Sequence, residues 1–290
     1  MAWKSSILLA SIFCLSSIAS AQDLENLLDE AAGGQNQKQY VSATFKSPRL
    51  VSGHTVKVPA KNDLIFLISH RFGEINMGLN EFFGLDVSTI RLGFEYGITD
   101  RFAAGIGRSS FNKVVDGYLK YRFISQSAGT GAVPFSLTAI VSSSLRTKTW
   151  SNDKLDYLFL HRLSYNSELL FARKFSSAFS AQLSPGHIHR NIVQYSDDPN
   201  DIFYLGIGAR YKISSRFSLN AEYFYPFSER LRMLTTNPLS IGVDIETGGH
   251  VFQLMLSNSR GMEATVLIPE TTGEWLNGDI HFGFNIIRTF

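Results

Sequence analysis

The sequence predicts an all-β protein, an antiparallel transmembrane β-barrel of about twelve strands with short periplasmic turns and longer outer loops. Three observations predict it. The last stretch, residues 278–290, alternates with period two: Phe282, Phe284, Ile286, Arg288 and Phe290 share one strand face, and His281, Gly283, Asn285, Ile287 and Thr289 share the other. Three turns repeat, at residues 97–102, 174–179 and 212–217, each with two small polar residues between an apolar residue and a Phe. The composition is 44% hydrophobic and 13% aromatic. Yet past the N-terminal leader no uninterrupted apolar run beyond 64–68 stands out, which excludes helical membrane spans and suits strands of alternating character.

Taken in order, residues 1–21 read as a signal peptide. Lys4 is the positive region, residues 7–18 a short apolar core, and Ala19-Ser20-Ala21 the small-residue cleavage site. Cys14, the single cysteine, is lost with it, so no disulfide, thiol nucleophile or cysteine-ligated metal is expected. The formal charge falls from +2 to +1 with the loss of Lys4, which gives no argument for a nucleic-acid partner. Residues 22–61 are expected to form an N-terminal periplasmic segment. Leu24, Leu27 and Leu28 at helical spacing before Gly33-Gly34 predict a short amphipathic helix over 23–32, read as a cap or tail and, more sharply, as a plug or docking peptide. A polar extended run with Pro48 and Pro59 follows.

Residues 62–290 are the barrel. Strands are expected near 62–72, 87–98, 101–110, 114–124, 133–146, 163–175, 178–189, 202–213, 216–227, 239–247, 250–258 and 279–290. The clearest sets Ile90, Leu92, Phe94, Tyr96 and Ile98 against Arg91, Gly93, Glu95 and Gly97. Phe203, Leu205, Ile207, Ala209, Tyr211 and Ile213 repeat the arrangement, and Leu219, Ala221, Tyr223 and Tyr225 extend it. With the first strand running outward, the three repeated turns and a fourth at Thr247-Gly248-Gly249 fall on the side of both termini. The long connections 73–86, 147–162, 191–201, 228–238 and 259–277 fall on the other, with 111–113 a short exception. The aromatic final residue, Phe290, with apolar residues at alternate positions before it, suits recognition by the outer-membrane barrel assembly machinery.

Seven stretches together resemble a known family: ATFKS at 43–47, ISHRFG at 68–73, FGLD at 83–86, IRLGFEYGITD at 90–100, GRSSF at 107–111, DGYLKY at 116–121 and HRN at 189–191. The family is an uncharacterised outer-membrane β-barrel family, domain of unknown function 5777, and the resemblance covers residues 40–290. It implies the barrel and the outer membrane. It brings no assigned catalytic or ligand residue.

The faces opposite the apolar ones carry Arg91, Glu95, Asp116, Lys120, Arg122, Glu168, Lys174, Arg210, Lys212, Glu222, Asp244 and Glu246, the candidate lumen-lining residues. Six of each sign predict little ionic preference from the wall as a whole. Charges in a narrow lumen are expected to pair across strands, or to line a water-filled path for a small solute. The His-x-Ser pattern of an outer-membrane phospholipase is missing. His187 and His189 have the spacing of a metal pair but no evident third ligand, and Pro185-Gly186 is expected to bulge that strand. Gly206 and Gly208 are read as room for inward packing.

The expected function is that of a narrow passive channel or an anchoring barrel in the outer membrane. Its expected partners are outer-membrane lipid, the assembly machinery and an unidentified periplasmic protein, with no nucleic acid, cofactor, metal or catalytic residue. The alternatives are a membrane-embedded hydrolase using loop residues and a soluble periplasmic barrel or sandwich.

Overall fold

Period-two alternation becomes a closed cylinder in the computed structural model, which describes residues 38–148, 158–193 and 196–290. The predicted signal, the helix over 23–32 and parts of the expected loops 147–162 and 191–201 lie outside the described residues. The described part of one small unit comprises Lys38, Gln39 and the turn Ala128–Ala132, where the Ala132 N–H donates to the Gly129 carbonyl at 3.2 Å. The second unit, Tyr40–Ser127 with Val133–Phe290, is the barrel.

Its strands are β1 Leu64–Glu74, β2 Ser88–Thr99, β3 Phe102–Ser109, β4 Val114–Ile124, β5 Ser136–Arg146 and β6 Leu163–Lys174, then β7 Phe179–Arg190, β8 Asp201–Lys212, β9 Phe217–Pro226, β10 Leu239–Thr247, β11 His250–Ser257 and β12 His281–Thr289. Each pairs antiparallel with the next, and β12 closes on β1 through pairs such as Ile286 with Ile68. Phe290 and Leu64 exchange both backbone hydrogen bonds at the seam. Closure leaves no unpaired edge, which a strand in hydrocarbon cannot tolerate. No predicted strand boundary is off by more than three residues.

The repeated turns have a common cause. The first small polar residue of each, Thr99, Ser176 or Ser214, accepts from the backbone N–H groups two and three residues on, at 3.0–3.3 Å. A hydroxyl there satisfies donors that the ladder has left behind.

Alternation decides the two surfaces. On β2, Ile90, Leu92, Phe94, Tyr96 and Ile98 are 40–46% exposed, while Arg91 and Glu95 are 2% and 3% exposed. Ile106, Leu119, Phe171, Leu183, Ile207 and Leu254 extend this exposed apolar surface around the wall. Two stacked sheets would have buried these side chains in a shared interior. Pro185 and Gly186 make no bulge: their pairing with Leu205 and Tyr204 keeps one register from Asp201–His189 to Tyr211–Phe179.

The expected periplasmic segment is corrected in its second half. Residues 44–59 fold into the lumen rather than lying outside it, turn back at the Arg49–His54 bridge, and leave near Asn62, whose N–H donates to the Gly97 carbonyl. Irregular backbone with two prolines cannot satisfy itself, and the wall supplies the partners it lacks. From the opposite end, the loop 258–280 folds inward with its short helix α2, Ala264–Leu267, behind α1, Glu229–Leu234, of the preceding loop.

The interior is also less polar than expected. Phe45, Leu50 and Val56 pack with inward-facing Tyr118, Ile140, Leu170 and Ala172. Leu231, Leu267 and Ile268 pack with Ile188, Ile202, Tyr204 and Phe224. Each such apolar side chain, taken from water, contributes about 1.5–3 kcal/mol, and these two clusters exist because the inserted segment and the two outer loops cover them.

Candidate functional site

The lumen is organised around the tip of the inserted segment. Its turn is closed by the Leu50 N–H on the Gly53 carbonyl and the Thr55 N–H on the Pro48 carbonyl, both at 2.9 Å. Glu222, inward-facing on β9, accepts from the N–H groups of Val51, Ser52 and Gly53 at 3.1, 2.7 and 3.0 Å. One carboxylate thus takes three donors that no strand could reach. Gln253 on β11 donates to the Leu50 carbonyl at 2.9 Å and Asn285 on β12 to the Val51 carbonyl at 2.8 Å. Gln182 on β7 accepts from the Val56 N–H at 3.0 Å and donates to the His54 carbonyl at 2.7 Å. Gly208 makes room for Leu50, whose Cδ2 would stand 2.5 Å from a Cβ at this position.

Opposite this seat lies a cluster of charges. Arg91 on β2 reaches Asp116 on β4 at 2.6 Å and Glu263 of the outer loop at 2.7 Å, and Arg49 of the inserted segment meets the same Glu263 oxygen at 2.7 Å. The segment from one end and the loop from the other therefore join at one buried carboxylate. The span from β2 to β4 crosses β3 over Gly107, the register partner of Gly93 and Asp116, where a Cβ would collide with the Arg91 guanidinium. Gly105 serves Tyr118 in the same way, letting its hydroxyl donate to Glu95 at 3.0 Å, with Lys120 on Glu95 at 3.6 Å. Gly186 lets Tyr204 cross to Asn166 at 2.9 Å. Small residues on the middle strand let long side chains bridge second-neighbour strands.

The remaining candidates divide by depth. Arg210 meets Glu246 at 2.6 Å, and Lys46 of the inserted segment takes the other Glu246 oxygen at 3.0 Å. Asp244 accepts from Asn220 at 2.5 Å and Gln253 at 2.8 Å, and Glu168 is buried on the inward face of β6. Arg122, Lys174 and Lys212 are less deep. Arg122 donates to the Asp100 carbonyl of the turn, Lys174 to the Ser42 carbonyl at 3.0 Å, and Lys212 ends β8 at the same side. The sequence reading missed Arg71, whose guanidinium donates to Ser52 and Asn285 at 3.1 Å, and also Arg49, Glu263 and the amides Gln182, Gln253 and Asn285. Inward Ile140, Leu170, Ile188 and Ile202 were the available sign, because apolar residues on a lumen face need something other than water against them.

Above and below the occluded waist are two mouths. The outer one, about 390 Å³, is lined by Arg146, Arg162, Arg190, Glu270 and Thr265 among others. The other, about 440 Å³, is lined by Phe45, Lys57, Arg101 and Arg122 among others. Between them, the space bounded by Arg49, Arg71, Arg91 and Met262 has no room for a water-sized body. His187 and His189 both hold Asp201, at 2.9 and 2.8 Å, near the outer end of the wall. Among the described residues no serine hydroxyl bonds a histidine nitrogen, and no three His, Cys, Asp or Glu could hold a metal ion.

A family model described as membrane bound beta barrel domain (DUF5777) matches residues 45–290. Curated proteins show no match. Among solved structures, the chain is similar to the COG4313 outer membrane channel from Pseudomonas putida F1, with 13% identity, TM-score 0.48, and 81% of this chain and 97% of that one covered. It is also similar to the KdgM porin in complex with disordered oligogalacturonate, with 9% identity, TM-score 0.45, and 79% and 98% covered. Omp33 of Acinetobacter baumannii follows at 8% identity, TM-score 0.41, and 79% and 99% covered.

Proposed function

The chain belongs to the membrane-bound β-barrel domain family DUF5777, and from that premise we propose that it is an outer-membrane channel held shut by its own N-terminal segment. The observation that carries this reading is the occlusion itself: two mouths at opposite ends of a closed barrel, with residues 44–59 and the inward loop filling the lumen. The wall is complete without the segment, because all twelve strands pair with one another. The segment's backbone donates to Glu222 and accepts from Gln182, Gln253 and Asn285, bonds that water can replace at about 1 kcal/mol each, while its Arg49–Glu263 pair and its Phe45, Leu50 and Val56 contacts are given up with them. Withdrawal therefore need not unfold the barrel.

In this reading the exposed apolar band faces outer-membrane lipid, the strand ending at Phe290 addresses the assembly machinery, and a periplasmic protein pulling on residues upstream of Tyr40 opens the path. The role is transport rather than catalysis. Single-channel recording in planar bilayers tests it: the full chain is expected to stay closed with rare openings, and a chain lacking residues 44–59 to conduct steadily. Silence from both forms, each folded as judged by a heat-modifiable band, would leave only the anchoring role.

A further inference from the structure

Charge is unevenly shared between the barrel and the segment it encloses. Residues 40–61 contain Lys46, Arg49, Lys57 and Lys61 and no aspartate or glutamate. Around them, the buried wall and inward loop present six carboxylates, Glu95, Asp116, Glu168, Glu222, Asp244 and Glu263, against four cations, Arg71, Arg91, Lys120 and Arg210. Half-buried Glu246, at the same rim as Arg122, Lys174 and Lys212, takes Lys46 and stands outside this count. The even balance of the sequence-level count fails at depth because Arg122, Lys174 and Lys212 end near the periplasmic rim. Without its segment the waist is formally acidic.

The same wall also reads peptide backbone. Glu222 and Gln182 accept from backbone N–H groups, and Gln182, Gln253 and Asn285 donate to backbone carbonyls, so five consecutive residues of the segment's tip, Leu50 to His54, each have a main-chain contact with the wall or with their own turn. The charged side chains it recognises are basic, Arg49 on Glu263 and Lys46 on Glu246, beside the Ser52 hydroxyl on Arg71 and apolar Phe45, Leu50 and Val56 against the wall. Acceptors and donors placed for a turned main chain, with carboxylates placed for its cations, are the groups a site for basic peptides needs.

We propose that the opened lumen is cation-selective and that its solutes are short basic peptides, of which residues 44–59 are a built-in example. The proposal rests on the channel reading and names its solute class. An acidic constriction concentrates cations and repels anions, and a peptide that reproduces the segment competes for its seat.

The test uses the full chain carrying Arg49→Glu, which sets an acid against Glu263, is expected to expel the segment, and changes no residue of the wall. In a KCl gradient, the opened channel is expected to pass K⁺ over Cl⁻ by about tenfold, the low end of what charge-lined clefts achieve. A synthetic peptide with the sequence of residues 46–57 is expected to block that current. The same peptide with Lys46, Arg49 and Lys57 replaced by glutamine is expected to need at least about ten times the concentration. If Arg49→Glu gives no heat-modifiable folded band, Arg49→Gln takes its place. Current that favours Cl⁻, or equal block or absence of block by the two peptides, overturns the inference and leaves the channel reading standing. Absence of current in every folded variant, including the chain lacking 44–59, overturns the channel reading itself.

Discussion

The two walls of the lumen are finished in different ways. The wall of β2 to β4 answers its own charges: Arg91 with Asp116, and Glu95 with Tyr118 and Lys120, across the glycines of β3. The wall from β7 through β9 to β12 is answered largely from outside, because Gln182, Glu222, Gln253 and Asn285 spend their bonds on the main chain of the inserted segment. The first wall pairs most of its charges among its own strands and meets the segment at Tyr118 and, through Glu263, at Arg49; the second completes its hydrogen bonds only when the lumen is full. Barrel stability and lumen occupancy are therefore separable properties, set by different residues.

That separation can be broken at graded cost. The largest effect is expected for Arg91→Ala, which leaves Asp116 and Glu263 buried with their shared cation gone. A loss of about 3–5 kcal/mol should appear in urea unfolding of the detergent-refolded barrel, followed by the heat-modifiable band. Next comes Gly107→Val, which puts a side chain in the path of Arg91 and is expected to cost about 1–3 kcal/mol by the same readout. Gly117→Ala is its control, since a Cβ there meets nothing nearer than a carbonyl oxygen at 3.8 Å. On the second wall, Glu222→Gln should weaken the seat of the segment by about 1.5–3 kcal/mol. Protease cleavage within residues 44–59 is expected to quicken while the unfolding midpoint of the barrel barely moves. An equal fall in that midpoint would show that the two walls are not separable. Smallest is Leu219→Val on the lipid face, within about 0.5 kcal/mol, because one apolar side chain replaces another against hydrocarbon.

Much of the wall was legible. Alternation on β2 placed Arg91 and Glu95 inward and Leu92 and Phe94 outward, and the hydroxyl-Phe turns located three hairpins to within one residue. Pro185-Gly186 misled, because proline and glycine suggest a bulge; here Pro185 sits on the exposed face and Gly186 makes way for Tyr204. The candidate site was legible only as a list of charges. Nothing local distinguishes Glu222, which grips a backbone turn, from Glu246, which pairs with Arg210.

By itself, the sequence determined which residues form strands and which way each strand faces, because period two and the turn hydroxyls act over a few neighbouring residues. Only the tertiary structure decided what occupies the cylinder. The contact between Glu222 and Val51 joins positions 171 residues apart, and a pairing at that range carries no period; it exists because closing the barrel brings several strands' amides and carboxylates around one short run of main chain.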